Sequence, residues 1–443
     1  MRERVMKKSI MMLMTVGLLI GFIVSIPIHT LAQPEDIEAE SAILVDADTG
    51  EILYSTNADI SLPPASMTKV MTEYLVLEAV EEGDISWDTT TEISEYAFSI
   101  SADNTFSGVG LRMDTEYTVK ELYDAMAIYS DNATSIALAE LIAGSEGEFV
   151  QMMNEKAEEL GMQEYEFVNS TGLANSHLGD QYPEGTDPEA DNLLSARSMA
   201  LLAYHLVNDF PHALDVSSVP TQEFEGHEMI NYNWMLPGLP GNLEAFAYEG
   251  MDGLKTGWTS LAGYAFAGTA ERDDTRLISV VMRTESVEAR FNETRKLMDY
   301  GFDNFEKATL YEAGYQHEGE ETLPVAKGKQ EEVSIATTEP IERFIYSGDE
   351  ENFSVSYEMD EELLNEDGKI EAAVEEGTEV GRMVLNYDGD HDYGNILGED
   401  AEQQSVTIET TEAVERSNWF MLILQAIGDF FSGLFDSIKG IFV

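Results

Sequence analysis

The chain has 443 residues, 43% of them hydrophobic, with 19 Tyr and 19 Phe, which is enough apolar material for two folded domains rather than one. Its 85 Asp and Glu against 24 Lys and Arg leave a formal charge of −61, which excludes a nucleic-acid partner because phosphate neutralisation needs clustered cations. The absence of Cys excludes disulfides, a thiol nucleophile and a zinc-thiolate site, and the acidity reads as adaptation to a salty or otherwise harsh exterior rather than as a binding surface.

Arg2, Arg4, Lys7 and Lys8 precede an apolar stretch over 10–26, and Thr30-Leu31-Ala32 stands before Gln33. This order of charged, apolar and small residues predicts a signal peptide over 1–32, and Ser25 and Pro27 argue for its removal rather than retention as an anchor. Ala42-Ile43-Leu44-Val45, a turn at Asp48-Thr49-Gly50 and Ile52-Leu53-Tyr54 then read as a hairpin. After Pro63-Pro64, the residues Met67, Val70, Met71, Tyr74, Leu75 and Ala79 fall on one helix face, with Ser66 at the helix start. Thr118 and Glu121 form a capping box ahead of Leu122, Ala125, Met126 and Tyr129. A second helical pattern runs over 133–142 before Gly144, and Ser130-Asp131-Asn132 occupies the join.

Further helices are predicted over 149–160, stopped by Gly161, and over 196–207. Strands return with Lys255-Thr256-Gly257-Trp258, 263–269 and 277–282, the last two joined by a polar turn at 271–274, and a helix follows near 288–300. Strands from both ends of this region with helices between them predict an α/β fold with an antiparallel sheet flanked by helices. From 306 onward, alternation in Val333-Ser334-Ile335, Phe353-Ser354-Val355-Ser356-Tyr357 and Val406-Thr407-Ile408 predicts a small all-β domain, with solvated acidic loops at 349–351 and 360–362. Near the end, Gln425, Asp429, Ser432, Asp436 and Lys439 form a narrow polar stripe on an otherwise apolar helix. Its unbroken apolar run, 419–424, is too short to span a bilayer, so an interfacial attachment to the membrane surface is expected. The predicted organisation is therefore a signal peptide (1–32), a helix-flanked sheet domain (33–305), a β-rich domain (306–410) and an amphipathic membrane-anchor helix (411–443).

Three motifs carry chemistry: Ser66-Met67-Thr68-Lys69, Ser130-Asp131-Asn132 and Lys255-Thr256-Gly257. Ser and Lys three apart at a helix start share a face, so the amine can reach the hydroxyl. A serine hydroxyl attacks only when a base takes its proton, and a lysine serves as that base only if burial or a neighbouring cation pulls its pKa towards neutrality; Lys255 could be that cation. Singly these motifs are weak, and Ser66 reads as a cap and Lys69 as a surface lysine. Their order and placement, after a Pro-Pro break, at a helix junction and on a Gly-flanked strand, join them into one trio, known from class A β-lactamases and penicillin-binding proteins. Metal sites are not expected. Asp388, Asp390, Asp392 and Glu399 match a calcium-loop spacing, but Tyr393 stands where the loop needs Gly, and no H-E-x-x-H pair occurs.

The chain resembles the low-molecular-weight penicillin-binding proteins, the serine-type D-alanyl-D-alanine carboxypeptidases of peptidase family S11. The resemblance extends through Ile43-Leu44-Val45-Asp46-Ala47-Asp48-Thr49-Gly50, Pro63-Pro64-Ala65-Ser66, Asn154-Glu155-Lys156-Ala157, Phe167-Val168-Asn169-Ser170-Thr171-Gly172-Leu173 and Arg276-Leu277-Ile278-Ser279-Val280-Val281. It implies a β-lactamase/transpeptidase-like catalytic domain and removal of the terminal D-alanine from peptidoglycan stem peptides. Ser66 would be the nucleophile, Lys69 its proton acceptor and Ser130 the proton relay to the departing D-alanine. Asn132 would bind the substrate backbone, Lys255 and Thr256 the terminal carboxylate, and the N–H groups of Ser66 and Trp258 the oxyanion, while Gly257 would keep the strand clear for the substrate. It further implies β-lactam antibiotics as covalent inhibitors, no cofactor, and a location in the cell wall space at the outer face of the cytoplasmic membrane.

Arg283 is a second candidate for the carboxylate, set aside as a surface ion pair. A β-lactamase would share the trio, but its Glu-x-x-x-Asn loop is not matched, since Glu166 and Asn169 are one position too close. A non-catalytic peptidoglycan-binding scaffold is the other alternative, and the intact Ser66, Lys69 and Lys255 argue against it.

Overall fold

The computed structural model describes residues 36–389, 391, 393–398, 405–419 and 423. The predicted signal peptide, most of the predicted terminal helix and the acidic positions Asp390, Asp392 and Glu399 lie outside the described residues. Among the described residues no helix is long and apolar enough to cross a membrane.

The first described part of the chain is organised on a five-stranded antiparallel sheet of β1 (Ser41–Asp46), β2 (Ile52–Thr56), β3 (Met251–Thr259), β4 (Gly263–Arg272) and β5 (Thr275–Thr284), in the order β2-β1-β5-β4-β3. Alternate residues of β1 serve two cores: Ile43 and Val45 face one, Ala42 and Leu44 the other. Because both faces are covered, β1 reads as a continuous apolar run rather than an alternating one. The first core is filled by α1 (Lys69–Glu81), α2 (Val119–Tyr129), α3 (Asn132–Ala143), α4 (Glu146–Glu159) and α5 (Ala196–Asp209). The second is closed by α6 (Val287–Asn304) lying on β4 and β5.

Local signals place these helices. The predicted box at the start of α2 is formed, with Glu121 N donating to Thr118 Oγ1 and Thr118 N to Glu121 Oε2. The helix expected from 149 begins at Glu146, because Ser145 caps it. Ser66, expected at a helix start, sits on a short 3₁₀ turn, Ala65–Thr68, that leads into α1. α1 is buried on all sides from Lys69 to Leu77, so Lys69 and Glu73 project into protein rather than water.

Beyond α6 the chain forms an all-β domain. A six-stranded sheet runs in the spatial order Phe353–Met359, Glu379–Tyr387, Ser405–Thr410, Glu332–Thr337, Thr322–Ala326, Ile370–Glu371, and Phe305–Tyr311 pairs with Ile341–Tyr346. It continues past the expected limit at 410, since Val414 exchanges hydrogen bonds with Val374 and Ser417 N donates to the Lys327 carbonyl. One acidic loop departs from expectation. Asp349 is buried, accepting the Tyr387 and Tyr393 hydroxyls at 2.7 Å each, so only Glu350 and Glu351 of 349–351 are solvated.

A short segment around Asn395 lies against the first hairpin: Ile52 N donates to the Gly394 carbonyl, Ile396 N to the Gly50 carbonyl and Asn395 Nδ2 to the Thr49 carbonyl. Gly50 is required there, as φ is +74° and a Cβ would lie 2.9 Å from Asn395 Oδ1. Beside this seam Arg343 Nε donates to Glu51 Oε1 at 2.7 Å, the carboxylate being buried and the guanidinium largely so. Burial pushes the Glu51 carboxyl up to about 7 although the guanidinium opposes it.

Candidate active site

The turn that carries Ser66, the expected nucleophile, is held from two sides. Ala65 has φ +49°, a conformation costly for a residue with a Cβ. Its carbonyl would lie 1.9 Å from a Cβ on Gly172 (φ +82°), so only glycine lets the 169–172 loop pack under the turn. That loop is internally fixed, with Asn169 Oδ1 accepting from Thr171 N, Thr171 Oγ1 and Gly172 N at 2.8–3.1 Å. Buried Glu146 anchors it through Ser170 N and Ser170 Oγ, both donating to Oε1.

Lys69 is fully buried, and its Nζ lies 3.1 Å from Ser66 Oγ, 2.8 Å from Asn132 Oδ1 and 2.7 Å from the Thr171 carbonyl oxygen. The last two can only accept. A neutral amine has two N–H groups and one lone pair, so these two acceptors use both hydrogens and direct the lone pair at the serine hydroxyl. Burial, then the charge of Lys255, hold the Lys69 amine well below the usual lysine range, with Asp131 and Glu146 opposing.

Ser130 ends α2 in the left-handed region (φ 60°, ψ 31°), and Asp131 caps α3 by accepting Thr134 N at 2.8 Å. This corner turns the Ser130 Oγ into the protein, where it is buried with no hydrogen-bond partner among the described residues. Asn132 is committed at both ends of its amide, its Nδ2 donating to the Ser107 carbonyl while Oδ1 receives Lys69. The second N–H of that amide makes no hydrogen bond among the described residues.

β3 is the edge strand, pairing with β4 through Ala267↔Lys255, Phe266↔Thr256 and Ala265↔Gly257, so its other edge faces the cleft. Lys255 and Thr256 are buried, whereas Trp258 is 56% exposed at the rim. Gly257 has a different reason from the one expected. A Cβ there would lie 2.3 Å from the Pro64 carbonyl oxygen, so the glycine lets β3 close on the nucleophile turn instead of clearing space for substrate.

The elements meet at a cleft of about 430 Å³ lined by Ser66, Ser130, Thr256, Gly257, Trp258 and, unforeseen from sequence, Arg290. Lys69 joins Ser66 to Asn132 through its hydrogen bonds, and Lys255 lies within electrostatic reach of Lys69. Arg290 on α6 donates from Nη1 to the Gly257 carbonyl at 3.2 Å, and burial brings its guanidinium down to about 10. Its signal in the sequence was a cation on the apolar face of a helix, in step with Val287, Phe291, Thr294 and Leu297. Arg283 is elsewhere, ion-paired with Glu40 at 3.0 Å. A wider recess of about 730 Å³, between Arg272 and Lys307, is walled by carboxylates and contains no serine.

A family model described as D-alanyl-D-alanine carboxypeptidase matches residues 28–286, and one described as the penicillin-binding protein 5 C-terminal domain matches 305–416. The D-alanyl-D-alanine carboxypeptidase DacF of Bacillus subtilis is 32% identical over 393 residues, covering 88% of this chain and 90% of the relative. DacA of Escherichia coli is 30% identical over 356 residues, 80% of each chain. Among solved structures, a peptidoglycan synthesis regulatory factor (PBP3) from Streptococcus pneumoniae superposes with TM-score 0.68 at 34% identity, covering 86% of this chain and 100% of the other. Penicillin binding protein 5 of Haemophilus influenzae gives 0.66 at 28% identity, covering 87% and 100%. With the matched models spanning most of its length, the chain belongs to the D-alanyl-D-alanine carboxypeptidase family of serine hydrolases.

Proposed function

We propose that the protein removes the terminal D-alanine of peptidoglycan stem peptides through an ester on Ser66. The observation that carries this is the Lys69 amine, whose two acceptor contacts leave its lone pair for the Ser66 proton. Ser66 Oγ attacks the carbonyl between the last two residues while its proton passes to Lys69. The oxyanion takes hydrogen bonds from the N–H groups of Ser66 and Trp258, each typically worth about 2.7–4 kcal/mol. As the C–N bond breaks, Ser130 delivers the proton to the leaving amine, and water later cleaves the ester and restores Ser66. Thr256, Lys255 and Arg290 give the substrate's carboxylate a hydroxyl and two cations, and the free edge of β3 offers the peptide backbone a strand to pair with.

β-Lactams fit the same cleft, and penicillin-binding protein D2 of Listeria monocytogenes, 32% identical, is described in cefotaxime-bound and ampicillin-bound forms. Export by the 1–32 signal and attachment to the outer face of the cytoplasmic membrane through an amphipathic helix beyond Ser417, within the expected 411–443 segment, complete the proposal, supported by the charged, apolar and small-residue order of the first and the polar stripe of the second. Incubating the protein with penicillin and with a D-Ala-D-Ala peptide tests the activity. A mass adduct on Ser66 and free D-alanine are expected, both lost in Ser66→Ala. Rapid penicillin turnover would instead make it a β-lactamase, and neither product would leave a scaffold.

A further inference from the structure

Lys69 depends on a loop to which it does not belong. One of the two acceptors that fix its amine is the Thr171 carbonyl, 2.7 Å from Nζ, so the position of that carbonyl decides where the lone pair points. Asn169 gives the loop its internal shape: its Oδ1 accepts Gly172 N at 2.8 Å, and that N–H shares a peptide plane with the Thr171 carbonyl. Shape alone does not place the loop against α1. That falls to Ser170, whose polar atoms are all committed outside the loop. Its carbonyl accepts Thr72 Oγ1, on α1 three residues beyond Lys69, at 2.8 Å. Its N–H and Oγ both donate to Glu146 Oε1 on α4, at 2.9 and 2.6 Å.

Glu146 is a costly fastener. It is 4% exposed and forms no ion pair among the described residues, and a buried carboxylate without a cation carries a large desolvation penalty. Its second oxygen accepts the Tyr96 hydroxyl at 2.9 Å, from the helix Glu95–Ser101. These three neutral donors and its place in the first turn of α4 offset part of that penalty. Burial still raises its carboxyl, with Ser170, then Tyr96 and Lys69, opposing. Its charge does not help the base. Burial and Lys255 lower the Lys69 amine, whereas Glu146, like Asp131, favours the protonated form, which has no lone pair to offer. What Glu146 contributes is therefore geometric: one oxygen that grips two donors of the residue next to Thr171.

We propose that Glu146 is a positioning residue for the acyl-transfer reaction, clamping Ser170 so that the Thr171 carbonyl takes a Lys69 N–H and the lone pair of the amine stays on the Ser66 hydroxyl. The inference rests on the function proposed above and deepens it: the aim of the base is set from α4, by a side chain that touches neither Ser66 nor Lys69. Every link from Glu146 through Ser170, Thr171 and Lys69 to Ser66 is a hydrogen bond or a peptide bond.

The test is acylation of the full chain by a fluorescent penicillin at several concentrations, which separates the dissociation constant of the first, non-covalent complex from the rate k2 of Ser66 acylation. In Glu146→Ala, k2 should fall by about 10²-fold, the loss that follows from moving a reacting group by about 1 Å, while the dissociation constant stays within about twofold. Glu146→Gln keeps an oxygen for both Ser170 donors and removes the charge, and it should bring k2 back to within about tenfold of the parent. Parental k2 in Glu146→Ala would overturn the proposal. So would a dissociation constant weakened as much as k2, the mark of a generally loosened cleft, or a glutamine variant as slow as the alanine one. Should Glu146→Ala not fold, Ser170→Ala keeps the backbone N–H bond and loses the hydroxyl one; k2 about tenfold lower at an unchanged dissociation constant is expected, and parental k2 there overturns the idea equally. The unmodified protein keeps the two readings apart: no label on Ser66 refutes the acyl-enzyme and this inference with it, whereas a labelled Ser66 leaves Glu146 to be judged on its variants.

Discussion

Replacing Gly257 by Ala tests how the site is held together. The added methyl would stand 2.3 Å from the Pro64 carbonyl oxygen, with Met67 Cγ at 3.3 Å and Ala65 Cβ at 3.4 Å, and a Cβ essentially never approaches another heavy atom within 3.0 Å. β3 and the nucleophile turn must therefore separate by about 0.7 Å or more. The clash falls between the two proposed oxyanion donors, since Pro64 is two residues before Ser66 and Gly257 immediately precedes Trp258. A displacement near 1 Å at reacting groups costs about 10²-fold in rate, and overpacking of this kind lowers stability by about 1–3 kcal/mol. The assay is the second-order rate of Ser66 acylation by penicillin beside kcat/KM for D-alanine release from a short peptide. Both should fall by a common factor on the order of 10², because both use the same serine and the same donors. If the glycine served to clear space for ligand, bulky penicillin would suffer far more than the small peptide. That asymmetry, or a variant acylated as fast as the parent, would refute the reasoning.

Other substitutions probe the remaining contacts. Asn132→Ala removes one of the two acceptors that orient the Lys69 amine together with the amide N–H offered to the substrate, and single-turnover acylation should slow by about 10²–10³-fold with KM raised as well. Arg290→Gln removes the cation that donates to the Gly257 carbonyl, and steady-state kinetics should show KM raised about tenfold or more, as expected for a charged hydrogen bond worth about 1.5–3 kcal/mol. Arg343→Met leaves Glu51 buried without its partner. The folded carboxyl, at about 7, lies above the unfolded 4.5, so its contribution to stability declines as pH rises from 4.5 through 7. The variant should lose about 3–5 kcal/mol at pH 8 but much less near pH 5, where Glu51 folds protonated, and thermal melts at the two pH values measure the difference.

Side-chain chemistry at regular spacing was legible in the sequence. Thr118 and Glu121 announced the start of α2, Asp48-Thr49-Gly50 the first turn, and Ser66, Lys69, Ser130 and Lys255 are brought to one place as their motifs implied. Interactions through the backbone were not legible. The Thr171 carbonyl that holds Lys69 carries no side-chain signal, and the need for Gly257 comes from a Pro64 carbonyl almost two hundred residues away in the chain. Buried charges were also missed: Asp349 was expected in a solvated loop, and Glu73, Glu146 and Arg290 were not singled out until the fold shows what covers them. In a chain so rich in carboxylates, composition hides the few whose burial matters.

The pairing of Ser41 with Met282 has a consequence for how the enzyme matures. The first hairpin has no neighbouring strand until the chain has been delivered through β5, and contacts spanning so much sequence form slowly. Ser66 and Lys69, which follow that hairpin closely, wait over the same interval for β3 to close upon them. A nascent or truncated chain ending before β5 would carry its nucleophile in an inert form, so labelling by a β-lactam would report completed biogenesis as well as catalytic competence.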